Sequence, residues 1–355
     1  MRHQPIPVRR IALKSILFAL GLTGMPVAQA ASLADCAAIG DDAARLGCYD
    51  EMVRGVAKAA TVPVAARDTE SPQKPTAEER LAASEVLVTP LSKRWELDPA
   101  SKRGVWLFQD HKPSYLLFGR YTDSVNSRPY DVFFNAVGDP NLGIDDTEAK
   151  FQFSFKLKAL EGMFGTDADL WLGYTQQNQW QVYNENISAP FRETNYEPEV
   201  FVTLPTRFDL LGLNGRFINL GFVHQSNGQS NILSRSWNRV YAQVGFEHGD
   251  DFSLLFKPWY RIKEKASEDD NPNITDYLGD FEAVASYRMG KYTLSALGRS
   301  TFDFDRGYLQ LDWTFPLHEN LKGYVQFSTG YGESLIDYDH DQNTLGIGIM
   351  LTDWM

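Results

Sequence analysis

The feature that most constrains this chain is an alternation of apolar and polar residues, with period two, running from about Trp95 to Trp354. Phe151, Phe153, Phe155 and Leu157 fall on one face of an extended segment; Gln152, Ser154, Lys156 and Lys158 fall on the other. Segments of this kind lie near 114–122, 148–159, 168–180, 198–206, 216–227, 235–248, 251–263, 275–289, 291–301, 306–316, 321–332 and 344–354, which makes twelve. Turn-forming pieces such as Asn214-Gly215, His248-Gly249-Asp250, Met289-Gly290 and Pro316–Asn320 separate some of them. Longer polar stretches near 123–147, 181–197, 264–274 and 333–343 separate others.

A soluble β-sandwich also alternates, so three further features decide between the two. The segments are long enough to cross a bilayer at a tilt. Aromatic residues gather toward segment ends, as interface girdles do: Trp171, Tyr174, Trp180, Trp237, Tyr241, Trp259, Tyr260 and Trp313. Short turns alternate with long loops, as in outer-membrane barrels. The pattern therefore predicts an all-β fold, a twelve-stranded antiparallel transmembrane barrel, whose even strand number allows closure without an edge. No internal repeat of the solenoid kind is present.

Composition narrows the partners. Lys and Arg number 34 against 46 Asp and Glu, a formal net charge of −12. Such a balance excludes a nucleic-acid binder, which needs a basic face. A hydrophobic fraction of 43% excludes a polytopic helical membrane protein but not a barrel, in which only alternate residues face lipid.

The N-terminus reads as separate parts. Residues 1–30 combine a basic start (Arg2, Arg9, Arg10), an apolar run and Ala28-Gln29-Ala30, the pattern of a cleaved secretory leader. Residues 31–56 predict a small helical, periplasmic segment with the chain's two cysteines, Cys36 and Cys48. A disulfide between them is the simplest expectation in an exported protein, metal binding by two thiols the weaker one. On one straight helix they would stand about 18 Å apart, so a bridge requires a bend, with Gly40-Asp41-Asp42 the place for it. Residues 57–84, rich in Ala, Pro and charge and without aromatics, read as a linker. The barrel is expected over 85–355.

Chemistry concentrates in one place. His224 and Ser226 sit at i and i+2, in phase with Leu220 and Phe222 on the apolar face. Asn238 shares the apolar phase of the next segment with Val240, Ala242, Val244 and Phe246. In a barrel that face meets lipid, where unpaired polar groups cost several kcal/mol. A Ser, a His and an orienting Asn satisfy one another and form an activated nucleophile. The other histidines (His3, His111, His248, His318, His340) have no such Ser neighbour.

The segment His224-Gln-Ser226-Asn-Gly-Gln-Ser-Asn-Ile-Leu-Ser234-Arg-Ser-Trp-Asn238-Arg resembles the active-site segment of the bacterial outer membrane phospholipase A family. Pro190-Phe-Arg-Glu-Thr-Asn-Tyr-Glu-Pro198, Lys257-Pro-Trp-Tyr260, Asp269-Asp-Asn-Pro272 and Gly330-Tyr-Gly-Glu-Ser-Leu-Ile-Asp-Tyr338 carry the same resemblance, in the family's order, over about residues 110–355. It implies a twelve-stranded barrel that hydrolyses phospholipid acyl esters of A1/A2 type, lysophospholipids included, with Ca²⁺ and as a homodimer in the outer membrane. It implies Ser226 as nucleophile, His224 as general base and Asn238 as the orienting residue. For calcium it implies the Ser234 side chain and Gln229 carbonyl, with the Ser188 carbonyl from a second subunit. A further site in the monomer maps to Asn231 and Asp269, where one of the family's two carboxylates has become a neutral amide. Gln176, on one strand face with Leu170, Leu172 and Tyr174, maps to the dimer interface. Two other readings compete: a passive channel, for which inward Gln152, Lys156, Lys158, Arg239 and Gln243 are polar enough, and a structural barrel presenting residues 31–84.

Overall fold

The computed structural model describes residues 39–41, 43–48, 50, 88–139, 142–318 and 321–355. Residues 43–48 form a helical turn, at whose start Asp41 Oδ1 accepts the Ala44 N–H at 2.9 Å. Cys48 lies in that turn; Cys36, the expected leader and the linker lie outside the described residues.

The remainder is a closed antiparallel barrel. A short strand β1 (Phe108–Asp110) precedes the twelve barrel strands: β2 (Ser114–Thr122), β3 (Thr147–Leu160), β4 (Asp169–Trp180), β5 (Phe191–Leu210), β6 (Leu213–Ser226), β7 (Ser236–His248), β8 (Phe252–Ile262), β9 (Phe281–Met289), β10 (Tyr292–Ser300), β11 (Gly307–His318), β12 (Leu321–Tyr331) and β13 (Asp341–Thr352). Each pairs with its sequence neighbours, and β13 returns to β2, which closes the ring. β1 pairs with the part of β3 that β2 does not reach, so β1 and β2 are one strand interrupted at His111-Lys-Pro113. Three short helices accompany the barrel: α1 (Pro90–Trp95), α2 (Asp131–Val137) and α3 (Thr275–Leu278). Among the described residues no helix is long and apolar enough to cross a membrane.

Alternation places the apolar row outside. Phe153, Leu172, Leu220, Phe222, Leu311, Trp313, Leu345 and Ile347 are exposed, whereas Ser154, Lys156 and Lys158 of the same β3 are buried in the bore. In water such an exposed belt would be unfavourable at about 25 cal/mol per Å²; in lipid it costs nothing. At one end the turns are tight. Leu211 and Gly212, joining β5 to β6, both have positive φ (53° and 84°), the conformation of a two-residue hairpin turn that matches strand twist. The long loops lie at the other end.

The bore is filled rather than open. At the short-turn end α1 and the turn after it enter it: Leu91, Trp95 and Leu97 pack on Trp171, Phe201, Phe217 and Tyr241. Lys158 reaches Glu96 at 2.5 Å and Asp169 at 3.0 Å, and the Lys156 ammonium lies 3.5 Å from the Trp95 ring centre. In the middle, Glu333 meets Lys150 at 2.6 Å and Arg120 at 3.4 Å. At the loop end Arg192 bridges Glu148 (2.9 Å) and Asp337 (3.0 Å), while Trp237, Ile274, Leu278, Leu335 and Tyr338 form an apolar cap. The Gly330–Tyr338 segment is thus a structural plug of the outer mouth. An interior cavity of about 100 Å³ remains, room for a few waters.

Three local expectations are corrected. Trp171, Trp237 and Tyr241 are not girdle residues: they are buried inside the bore, and Trp259 packs against them. Tyr174, Trp180, Tyr260 and Trp313 keep the outward phase. β5 runs well beyond 198–206, because Pro198 and Pro205 are accommodated within it. Residues 275–278 are helical rather than extended. The chain turns at Gly279 (φ +81°), where a Cβ would stand 2.1 Å from the Ser300 backbone. Within the stretch expected to form the barrel, α1 with the turn after it precedes the strands as an inner plug, its Leu91, Trp95 and Leu97 satisfying an inward apolar ring.

Asp337 and Glu333 tie the outer plug to the wall. Burial pushes both carboxyls up, but Arg192 for Asp337, and Lys150 with Arg120 for Glu333, more than offset this and hold both below the ordinary range. Since folding depresses both values, their contribution is complete above about pH 4, the unfolded-chain value, and is lost as pH falls toward the folded values. Asp337→Ala leaves Glu148 as the carboxylate that holds buried Arg192, removes one negative charge from the cluster, and is expected to cost about 3 kcal/mol. A lower urea midpoint at neutral pH, with the gap to wild type closing under strong acid, is the expected result.

Candidate functional site on the outer wall

The β6–β7 register sets His224 opposite Asn238 and Ser226 opposite Ser236, near the long-loop end of the barrel. His224 Nδ1 stands 2.9 Å from Asn238 Oδ1. Their row continues into exposed Leu220, Phe222 and Val240, so the pair faces outward on the apolar wall. Ser226 is two residues beyond His224 on the same face, and its hydroxyl makes no hydrogen bond among the described residues. That leaves it available, and nucleophile–base contacts are commonly loose until substrate arrives. The opposing position on β5 is Pro198 by the register of Tyr196↔Ser226 and Glu199↔Val223, so no N–H is directed at His224 from that side. Asn238 Nδ2 donates to Glu264 Oε1 at 2.9 Å. The sequence reading missed Glu264, although it prolongs the outward row of Tyr260 and Ile262 by two residues.

The loop after Ser226 is organised by buried Asn227, also missed. Its Nδ2 donates to the Leu233 carbonyl (2.7 Å), and its Oδ1 accepts the N–H groups of Gln229 (3.2 Å) and Arg235 (3.0 Å). Gly228 has φ +64°, and a Cβ there would meet the Tyr196 ring at 3.0 Å. An Asn at the base of a polar loop is legible only once the loop's ends are known to pair.

The residues implied for calcium are distributed as follows. Ser234 Oγ donates to Asp270 Oδ2 at 2.6 Å. Asp269 faces elsewhere: Arg261 holds it at 2.7 Å, and it accepts the Asn271 N–H. Asn271 Oδ1 in turn accepts the Ser236 N–H at 2.9 Å, which ties this loop to the start of β7. Gln229 and Asn231 lie in the same loop as Ser234, with Asn231 exposed at φ +58°. Ser188 is exposed in the β4–β5 loop at φ +64°, and its N–H bonds locally to Glu185 O. No group of three or more His, Cys, Asp or Glu positioned for a metal occurs among the described residues. The Ser234 hydroxyl and the Asp270 carboxylate beside it are hard oxygen donors of the kind that suit Ca²⁺.

Gln176 faces outward within a polar ladder. Its Oε1 accepts from Tyr174 Oη at 2.9 Å, its Nε2 donates to Asn178 Oδ1 at 3.0 Å, and Thr194 also reaches Asn178. One N–H and one lone pair of Gln176 remain for another partner.

Asn227→Ala is expected to loosen the 227–235 loop by about 1–3 kcal/mol, the cost of buried groups left unpaired. Protease cleavage between 227 and 235 should rise while the barrel's urea midpoint barely moves; unchanged cleavage would show that Asn227 is not what holds the loop.

The profile of the family described as "Phospholipase A1" matches residues 91–351. A Neisseria meningitidis serogroup B protein, provisionally named phospholipase A1, is 37% identical over 365 residues, 94% of either chain. Among solved structures, the Salmonella typhi outer membrane phospholipase, a dimer with bound calcium, is 32% identical with a TM-score of 0.66, covering 74% of this chain and 98% of that one. An active-site variant of Escherichia coli outer membrane phospholipase A, an asparagine changed to alanine, is 33% identical with a TM-score of 0.65, covering 72% and 95%. With a closed twelve-stranded barrel and these relatives, the chain belongs to the outer membrane phospholipase A family of phospholipase A1 enzymes.

Proposed function

We propose that this enzyme hydrolyses acyl esters of phospholipids in the bacterial outer membrane, as a calcium-dependent homodimer with Ser226, His224 and Asn238 as its catalytic triad. The observation that carries this reading is the 2.9 Å His224–Asn238 contact on the lipid-facing wall, in phase with Ser226. A histidine facing lipid without a chemical task would be a costly ornament.

Ser226 Oγ attacks the acyl carbonyl while His224 Nε2 takes its proton. The tetrahedral intermediate collapses, His224 returns the proton to the departing alcohol of the lysophospholipid, and the acyl group stays on Ser226. Water then repeats the sequence and frees the fatty acid. Asn238 holds the ring without bringing a net charge to the edge of the hydrocarbon. Ser234 and the Gln229 carbonyl would hold Ca²⁺, with Asp270 the nearby carboxylate and the Ser188 carbonyl supplied by a second copy. Bound there, calcium supplies positive charge for the developing oxyanion. Gln176 is placed to bond across the dimer interface. The channel reading is disfavoured by the bore, which the α1 plug, the outer cap and the buried ion pairs occupy.

Ser226→Ala is expected to lower hydrolysis by several orders of magnitude and to abolish labelling by a fluorophosphonate, with folding intact. His224→Ala should match it, and Asn238→Ala should be milder. An active Ser226→Ala barrel would overturn the mechanism.

Dimerisation and calcium binding should strengthen each other by the same factor. Ser234→Ala is expected to move calcium-dependent crosslinking to higher calcium, and Gln176→Ala to weaken the dimer by about 1 kcal/mol or less. Dimerisation indifferent to calcium would refute the link.

A further inference from the structure

We infer that Glu264 is a positioning residue that completes a chain Ser226–His224–Asn238–Glu264 and selects the reactive tautomer of His224; the inference rests on the triad reading above. The register pairs Asn238 with Ile262, the last residue of β8, and Glu264 follows two residues later on the same outward face. There its Oε1 accepts from Asn238 Nδ2 at 2.9 Å, while Asn238 Oδ1 meets His224 Nδ1 at 2.9 Å.

The chemistry of the donors makes this arrangement directional. An asparagine amide has two nearly isosteric ends, one donating and one accepting. Turned one way, it accepts from a protonated Nδ1 and leaves Nε2 free as the base that Ser226 needs. Turned the other, it donates to Nδ1, places the ring proton on Nε2 and removes the base. An aspartate would need no such choice, because both its oxygens only accept. An asparagine does need one, and an ionised carboxylate on its far side makes it: Glu264 can only accept, so the NH₂ end must face it and the oxygen must face His224. The negative charge is also held one residue back from the imidazole. It favours the imidazolium that forms as Ser226 loses its proton, without placing a carboxylate against the ring. Glu264 touches neither the histidine nor the reacting serine in this arrangement, so its influence runs through Asn238.

The test uses the full-length protein in calcium-containing detergent, with kcat and KM for a short-chain phospholipid. Glu264→Ala and Glu264→Gln are each expected to lower kcat about ten- to a hundredfold, the rate equivalent of one charge-assisted hydrogen bond, with KM and calcium-dependent crosslinking unchanged. Glutamine keeps the size but can offer either end of its own amide, so it no longer dictates the asparagine's orientation. The decisive arm reverses the sign. Asn238→Asp alone sets two carboxylates against each other and should be impaired. Adding Glu264→Gln to it restores a donor toward the new carboxylate and should recover activity. A loss of folding would lower both backgrounds alike, so the reversal belongs to positioning alone. Wild-type kcat in Glu264→Ala, or a double variant no better than Asn238→Asp, would overturn the role of Glu264. Full fluorophosphonate labelling and activity in Ser226→Ala would instead overturn the triad on which it rests.

Discussion

Lipid offers no hydrogen bonds, and this constraint shapes the whole structure. It forces the backbone into a ring in which each strand pairs on both sides, with β13 closing on β2. It also governs side chains on the outer wall. A polar group there persists where a neighbour completes its bonding, as in the Tyr174–Gln176–Asn178 ladder and the His224–Asn238–Glu264 series. The proposed catalytic triad and the proposed dimer contact are therefore the same kind of object: short runs of polar residues on an apolar face, largely paired with one another, with a little bonding capacity left over.

Inside, the opposite problem arises. Inward positions are polar because alternation leaves them so, and burying charges is costly unless each is matched. The matching is done in layers. Arg120, Lys150, Glu148, Glu333, Arg192 and Asp337 form a connected set from the middle of the bore to the loop end. Glu96, Lys158 and Asp169 do the same at the other end. Two of these groups, Glu333 and Asp337, come from a loop folded into the mouth, and one, Glu96, from the segment after α1. The pieces outside the strands thus close the bore while neutralising it, and the rigid wall they support carries the outward site.

Much of this was legible in advance, for a simple reason. Period two is a local property, and strands such as β7 and β11 follow it with few interruptions, so their existence and outward faces are legible from residue order. The in-phase placement of His224, Ser226 and Asn238 was legible in the same way. Orientation of the aromatic residues was not. Trp171, Trp237 and Tyr241 obey alternation but sit on the inward phase, and association with segment ends outweighed the phase in the reading. The helix at 275–278 was hidden because its apolar residues, Ile274 and Leu278, look like strand residues until the cap formed with Trp237 and Tyr338 is seen.

Residue order alone carries the barrel, its strand number and the row that His224 and Ser226 share, because all three follow from which residues lie on one face. Tertiary structure decided what no periodicity encodes. It brought Glu264 from a loop to Asn238, turned Asp269 inward to Arg261 and left Asp270 beside Ser234, and drove the α1 segment into the bore. Those outcomes depend on loop paths and on how buried charges find partners across the barrel, which are settled only when distant strands close the ring.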